Sequence, residues 1–218
     1  MPIHNIPNLE PFDEKNIPLL VERVLPLWKV DGKDDAFNRR YVEMIIRTNM
    51  HKNEMQFQMC VSGELKAICF FAKKGDESVW PGKMGALTET ARELKASGLG
   101  IFENKNSLSE SDRAIFENGR RYLLQMEEKT FSLMSEADIK LCLFISLENG
   151  WGTKILNAAS EKLMVEGIHN IYLWTDGECN VDWYFKNGFE LVSEEEYKPF
   201  SRPGKPYMTY IFKKKIEE

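Results

Sequence analysis

Residues 140–146 (KLCLFIS) form a short apolar run that stops abruptly at Glu148-Asn149-Gly150, and no other feature constrains this chain as much. A run of that length bounded by turn residues predicts a buried strand rather than a helix. Gly150-Trp151-Gly152 then leads straight into a helical pattern, with Ile155, Leu156, Ala159, Leu163 and Met164 on one face and Lys154, Ser160 and Glu161 on the other. Gly167 stops that helix. Residues 170–175 (NIYLWT) predict a second strand, residues 176–180 a polar turn, and residues 181–187 a short helix ended by Gly188.

A helix entered directly from a strand through glycines presents unpaired backbone N–H groups and the positive end of its dipole at a single point. Such an end suits a phosphate or pyrophosphate. Glycine lets the backbone approach an anion closely, and Thr153 adds a hydroxyl donor. Asn149, Gly150, Trp151, Gly152, Thr153 and Lys154 are therefore the candidate cradle. A strand-to-helix turn without a ligand has the same local pattern, so the elements that follow it decide the reading.

Those elements are specific. With Gly150-x-Gly152 at the turn, then Cys179-Asn180, then Tyr184-Phe185-Lys186-Asn187-Gly188-Phe189, this part of the chain resembles the GNAT acetyltransferases. The resemblance covers roughly the last third closely and the rest in order of elements. It implies an α/β fold with a mixed, mostly antiparallel sheet flanked by helices, acetyl-CoA as co-substrate, and its pyrophosphate on the 149–154 turn. It further implies that Asn180 lies against the cofactor and that Tyr184 donates the proton to the departing thiolate. A backbone N–H near Phe144 and Ile145, where the cofactor strand splays from its neighbour, would polarise the thioester carbonyl. The chain departs from the family pattern at Leu147, where Arg or Gln is usual, and at Glu148, where glycine is common. Backbone contacts to a pyrophosphate do not depend on either side chain.

Upstream, Asp13 is an N-cap for a helix carrying Ile17, Leu20, Val21, Val24 and Trp28, with Pro18 in its first turn and Pro26 ending or bending its last. After the loop at 31–34, Phe37, Tyr41, Met44, Ile45 and Thr48 mark a second amphipathic helix. Residues 55–61 alternate apolar Met55, Phe57, Met59 and Val61 with Gln56, Gln58 and Cys60, and residues 65–73 return as a partner strand across Ser62-Gly63-Glu64. This antiparallel start supplies too few parallel strand-helix units for a plain nucleotide-binding α/β fold.

Residues 76–137 exceed a connecting loop and read as a helical insertion between the third and fourth strands. Residues 88–96 look helical, Ser109 with Asp112 forms a capping box, and Ile115, Tyr122, Met126 and Leu133 share a helix face interrupted at Gly119. Stretches around 80–82 and 98–100 read as hinge-like loops. The insertion either covers the active site or forms an interface, a homodimer being one such assembly. After Phe189 come a strand at 190–192, an acidic turn at Glu194-Glu195-Glu196, a rigid loop in which Arg202 and Lys205 can meet an anion, and a last strand from 207 to 212.

The 218 residues are read as one acyltransferase domain. With 29 Lys and Arg against 34 Asp and Glu, the net charge of −5 gives no basic surface for nucleic acid. Cys60, Cys69, Cys142 and Cys179 are scattered and read as buried thiols of a reducing compartment, His4, His51 and His169 show no metal-ligand spacing, and no apolar run reaches a membrane span. The expectation is a cytoplasmic enzyme with no metal, no nucleic-acid or membrane partner, and an amine acceptor that is a small molecule or peptide. Asp138 and Glu64 are candidate bases for that amine. The alternative is a non-catalytic acyl-CoA-binding sensor or assembly module of the same fold.

Overall fold

The structure is a computed structural model that describes residues 8–51, 55–76 and 110–216. Its strands are β1 (Leu9–Pro11), β2 (Gln56–Val61), β3 (Glu64–Ala72), β4 (Asp138–Ser146), β5 (Asn170–Asp176), β6 (Glu190–Glu196) and β7 (Met208–Lys215). They form one sheet in the order β1-β2-β3-β4-β5-β7-β6, antiparallel throughout except between β4 and β5. This is the mixed, mostly antiparallel sheet expected from the sequence. Ser62 and Gly63 link β2 to β3 with φ of 53° and 82°, the left-handed pair that suits the twist of a two-residue hairpin.

Helices cover both faces. They are α1 (Ile17–Trp28), α2 (Asp35–Thr48), α3 (Glu110–Leu133), α4 (Trp151–Val165) and α5 (Val181–Lys186). Asp34 caps α2 by accepting from Phe37 N at 2.7 Å. Ile17, Leu20, Val21 and Val24 of α1 pack with Val42 and Ile46 of α2 onto Ile68, Phe70, Leu143 and Ile145. Ile155, Leu156, Ala159 and Leu163 of α4 cover the other face, against Cys69, Phe71, Ile139, Leu141, Ile171, Leu173 and Phe212. Tyr122 and Met126 of α3 pack with Tyr172, Tyr197 and Ile211. Tyr172 and Ile211 alternate with residues that face α4, so α3 shares the α1–α2 face and covers its β5–β7 half.

A bulge reorganises β4. Phe70 pairs with Leu143 but Phe71 with Leu141, so Cys142 is an extra residue in the strand. Before it, Ile139 and Leu141 face α4; after it, Leu143 and Ile145 face α1 and α2, while Phe144 turns to the α4 side.

Several expectations are corrected. α3 runs without a break through Gly119, Leu133 at its end is exposed, and Met164 lies outside the buried stripe of α4. Glu194-Glu195-Glu196 belongs to β6 rather than to a turn, because β6 is the sheet's outer strand, where outward charges are tolerated and discourage further pairing. Cys179 is exposed, and among the described residues all four cysteines are free thiols. The helix read at 88–96, the loops near 80–82 and 98–100, and the cap at Ser109 lie outside the described residues. No helix among the described residues is long and apolar enough to cross a membrane, and no group of three metal-ligating side chains occurs among them.

Candidate active site

β4 and β5 pair only from Asp138–Asn170 to Lys140–Tyr172; beyond that β4 stays with β3 and β5 with β7, and the two strands part. Alternation sets which backbone groups face the opening. Leu147 N–H donates to Lys66 O at 2.9 Å, and the register from Leu143 to Ser146 is regular. Ile145 N–H therefore turns towards β3 and Phe144 N–H towards the opening. Of the two expected donors only Phe144 is aimed there; Ile145 instead buries its side chain against α1 and α2.

The turn that follows is built as the sequence implies. Gly150 is the N-cap of α4 at φ 82°, a left-handed conformation that costs glycine nothing. Trp151 N–H donates to Glu148 O, and regular helical bonding begins with Lys154 N–H to Gly150 O. The N–H groups of Gly152 and Thr153 lie in the first turn, before any i−4 carbonyl exists for them, so this end favours an anion. A Cβ on Gly152 would come within 3.2 Å of Phe144 Cζ and 3.3 Å of Trp183 Cζ2, so the turn and both rings meet at van der Waals distance. Asn149 is exposed, and so is Lys154, whose ammonium lies 4.0 Å from the Trp151 ring centroid.

Thr153 takes a different part from the expected one. Its hydroxyl donates to Asn187 Oδ1 at 2.7 Å, so its proton is committed within the protein and only its N–H is left for a ligand. Lys66 adds what the sequence did not reveal: its ammonium binds Glu148 Oε1 at 2.6 Å and Glu64 Oε2 at 3.0 Å, offsetting the carboxylate that would otherwise repel an anion beside the turn.

On the α4 side of β5, Tyr184 stacks on Phe212 at 5.4 Å and meets Trp183 and Phe189 edge-on. The Thr175 side chain lies near enough to the Tyr184 hydroxyl to favour its ionised form slightly. Burial, reinforced by nearby Cys179 and Asp176, raises its pKa above the ordinary phenol value despite Thr175. The phenol is thus held protonated. Counting on from the Lys140–Tyr172 pair, with one residue allowed for the bulge, Thr175 stands level with Phe144 across the opening. Asn180 caps α5 by accepting from Trp183 N at 3.3 Å.

Neither candidate base is at the opening. Asp138, at the paired end, accepts from Ser135 N, Ser135 Oγ and Asn170 Nδ2 at 2.8, 2.8 and 2.5 Å, and Glu64 is exposed in the hairpin. Arg202 and Lys205 bridge one another through their backbones, and the Lys205 ammonium pairs with Glu178.

No protein-family model and no curated protein matches this chain. Solved structures do. Arylalkylamine N-acetyltransferase 2 from Aedes aegypti aligns over 98% of this chain and 100% of its own, at 12% identity and a TM-score of 0.54. Ard1 from Thermoplasma volcanium aligns over 98% and 99%, at 10% identity and 0.53. An agmatine N-acetyltransferase aligns over 97% and 100%, at 9% identity and 0.52. At such identities the likeness is one of architecture, and it agrees with the parted strands, the glycine turn and the position of α5: this chain has the GNAT acetyltransferase fold.

Proposed function

We propose that this protein is an acetyl-CoA-dependent N-acetyltransferase acting on a primary amine by direct attack in a ternary complex. The observation that carries the proposal is the opening between β4 and β5, with Phe144 N–H on one wall, Thr175 level with it on the other, and the buried phenol of Tyr184 near Thr175. That the architectural neighbours include proteins named as arylalkylamine and agmatine N-acetyltransferases supports the reaction class.

Acetyl-CoA supplies the thioester when bound. The N–H groups at the start of α4 take its pyrophosphate, as the left-handed Gly150 and the bare Cα of Gly152 permit. Phe144 N–H stabilises the charge that develops on the carbonyl oxygen. Tyr184, kept neutral by burial, protonates the thiolate as it leaves. We assign the protein to the cytoplasm on its free thiols alone.

Calorimetry with acetyl-CoA, CoA and ATP tests the reading, followed by acetyl-CoA consumption with a panel of amines. Acetyl-CoA and CoA are expected to bind and ATP not to. Equal binding of ATP, or none of acetyl-CoA, overturns the proposal. Binding without turnover on any amine would favour the sensor reading, to which Leu147 gives some support: it packs on the α1–α2 core instead of presenting a polar group to the turn.

A further inference from the structure

α3 sets a carboxylate over the point where the strands part. Glu127 Oε1 accepts from Lys140 Nζ and, at 3.3 Å, from Trp174 Nε1. Lys140 is the last β4 residue paired with β5, and Trp174 lies two residues past the last β5 pair. Glu127 therefore spans the start of the opening on the face opposite α4. One residue further along β5 stands Thr175, and Tyr184 lies near it on the α4 face. A carboxylate and a phenol thus flank the opening from opposite sides, at adjacent rungs.

The pair is deeply placed, with the Lys140 side chain 1% exposed and that of Glu127 14%. Burial pulls the Lys140 pKa down, but Cys142 and Glu127 outweigh it and the ammonium persists. Apolar residues of similar volume commonly stabilise a core as well as such a pair does, so its presence asks for another reason. Glu127 also lines a cavity of about 240 Å³, with Asn49, His51, Asp76, Leu123 and Phe131 among its other walls. Leu123, Leu124 and Phe131 beside two carboxylates fit a cation carried on an apolar body.

Building on the acetyltransferase reading above, we infer that this cavity holds the acetyl acceptor, a primary amine on a small apolar body, and that Glu127 binds its ammonium and takes its proton. Loss of that proton to the Glu127 carboxylate frees the nitrogen lone pair. The nitrogen attacks the thioester carbon, the C–N bond forms and the C–S bond breaks, and Tyr184 protonates the thiolate. The second nitrogen proton leaves to solvent, from which Tyr184 recovers its own and to which Glu127 releases the first, so one proton is set free per ammonium acetylated.

The test uses the whole protein saturated with CoA and titrated with benzylamine, n-pentylamine and neutral benzyl alcohol. Both amines are expected to bind and the alcohol not to, and L123W, which fills the cavity, should block them. E127Q leaves the Lys140 ammonium without its carboxylate, so the decisive variant is E127Q/K140M, which removes both charges together. It should bind CoA like the wild type and both amines at least tenfold more weakly. Unchanged amine binding in E127Q/K140M, or no amine binding to CoA-loaded wild type, overturns the inference while leaving the CoA site standing. A wild type that binds no CoA overturns both.

Discussion

Thr153 Oγ1 donates to Asn187 Oδ1 at 2.7 Å and so ties the first turn of α4 to the end of α5, the helix that carries Tyr184. Asn187 is a junction: its Nδ2 donates to Trp183 O and its carbonyl accepts from Lys214 Nζ, both at 2.8 Å. Thr153→Val keeps the shape and strands the amide oxygen. The expected loss is about 1–2 kcal/mol in urea unfolding, because a partly buried acceptor goes without its donor. A change below about 0.3 kcal/mol would show that the bond contributes nothing net.

Gly152→Ala should separate stability from ligand binding. The added Cβ would crowd Phe144 and Trp183 at 3.2 and 3.3 Å, while alanine regains about 1 kcal/mol of helix propensity. Net stability is expected to move little. Acetyl-CoA affinity is expected to fall several-fold in calorimetry, because the displaced rings and the methyl group intrude where the anion approaches. Full affinity would place the pyrophosphate elsewhere.

Tyr184→Phe retains the ring that stacks on Phe212 and removes only the hydroxyl. Turnover with a working amine should drop roughly ten- to a thousandfold while acetyl-CoA binding stays near wild type. Wild-type turnover, with chemistry shown to limit the rate, would leave water or another group as the acid.

Alkaline pH should destabilise the fold in two stages. Burial raises the Cys69 thiol well above its ordinary value, and burial first, with neighbouring charges, raises the phenols of Tyr122, Tyr184 and Tyr207. These groups keep their protons in the folded state after the unfolded chain has released its own, so stability is complete below the unfolded pKa values and falls above them. The urea midpoint is expected to hold up to about pH 8.5, to fall as the unfolded thiol ionises, and to fall more steeply above about pH 10. A midpoint that is flat to pH 11 would contradict the burial of these groups.

Tyr122 is the centre of an aromatic cluster, with ring centroids 5.4 Å from Trp174, 4.7 Å from Tyr197, 5.2 Å from Phe200 and 5.8 Å from Tyr207. Tyr122→Ala should cost about 3–5 kcal/mol. Amide exchange along α3 should rise in that variant. Protection equal to wild type would mean that α3 is held by other contacts.

How much was legible in the sequence follows from how local each signal is. The order strand, glycine turn, helix, strand, short helix could be read because each element carries its own periodicity and its own stop. The bulge at Cys142 could not, since LCLFI is apolar on both faces and an inserted residue leaves no break in the pattern. The acidic triplet pointed to a turn because its charge count ignores where in the sheet it falls. Thr175, Lys66 and Glu127 were missed for one reason: each acquires its place through a partner on a different element, Tyr184, Glu148 and Lys140, that only the packing brings to it. Thr153 was identified as part of the turn, but the choice of its hydroxyl between a phosphate and Asn187 depends on how α5 packs.

The extra residue at Cys142 also makes β4 a strand with a reading frame. Ile139 and Leu141 ahead of it belong to one core, Leu143 and Ile145 behind it to the other, and only that offset points Phe144 towards Gly152 and Trp183. Deleting one residue anywhere from 141 to 143 would exchange inner and outer side chains for the rest of the strand. This part of the chain can change its letters but not its length, whereas exposed surface loops can change both.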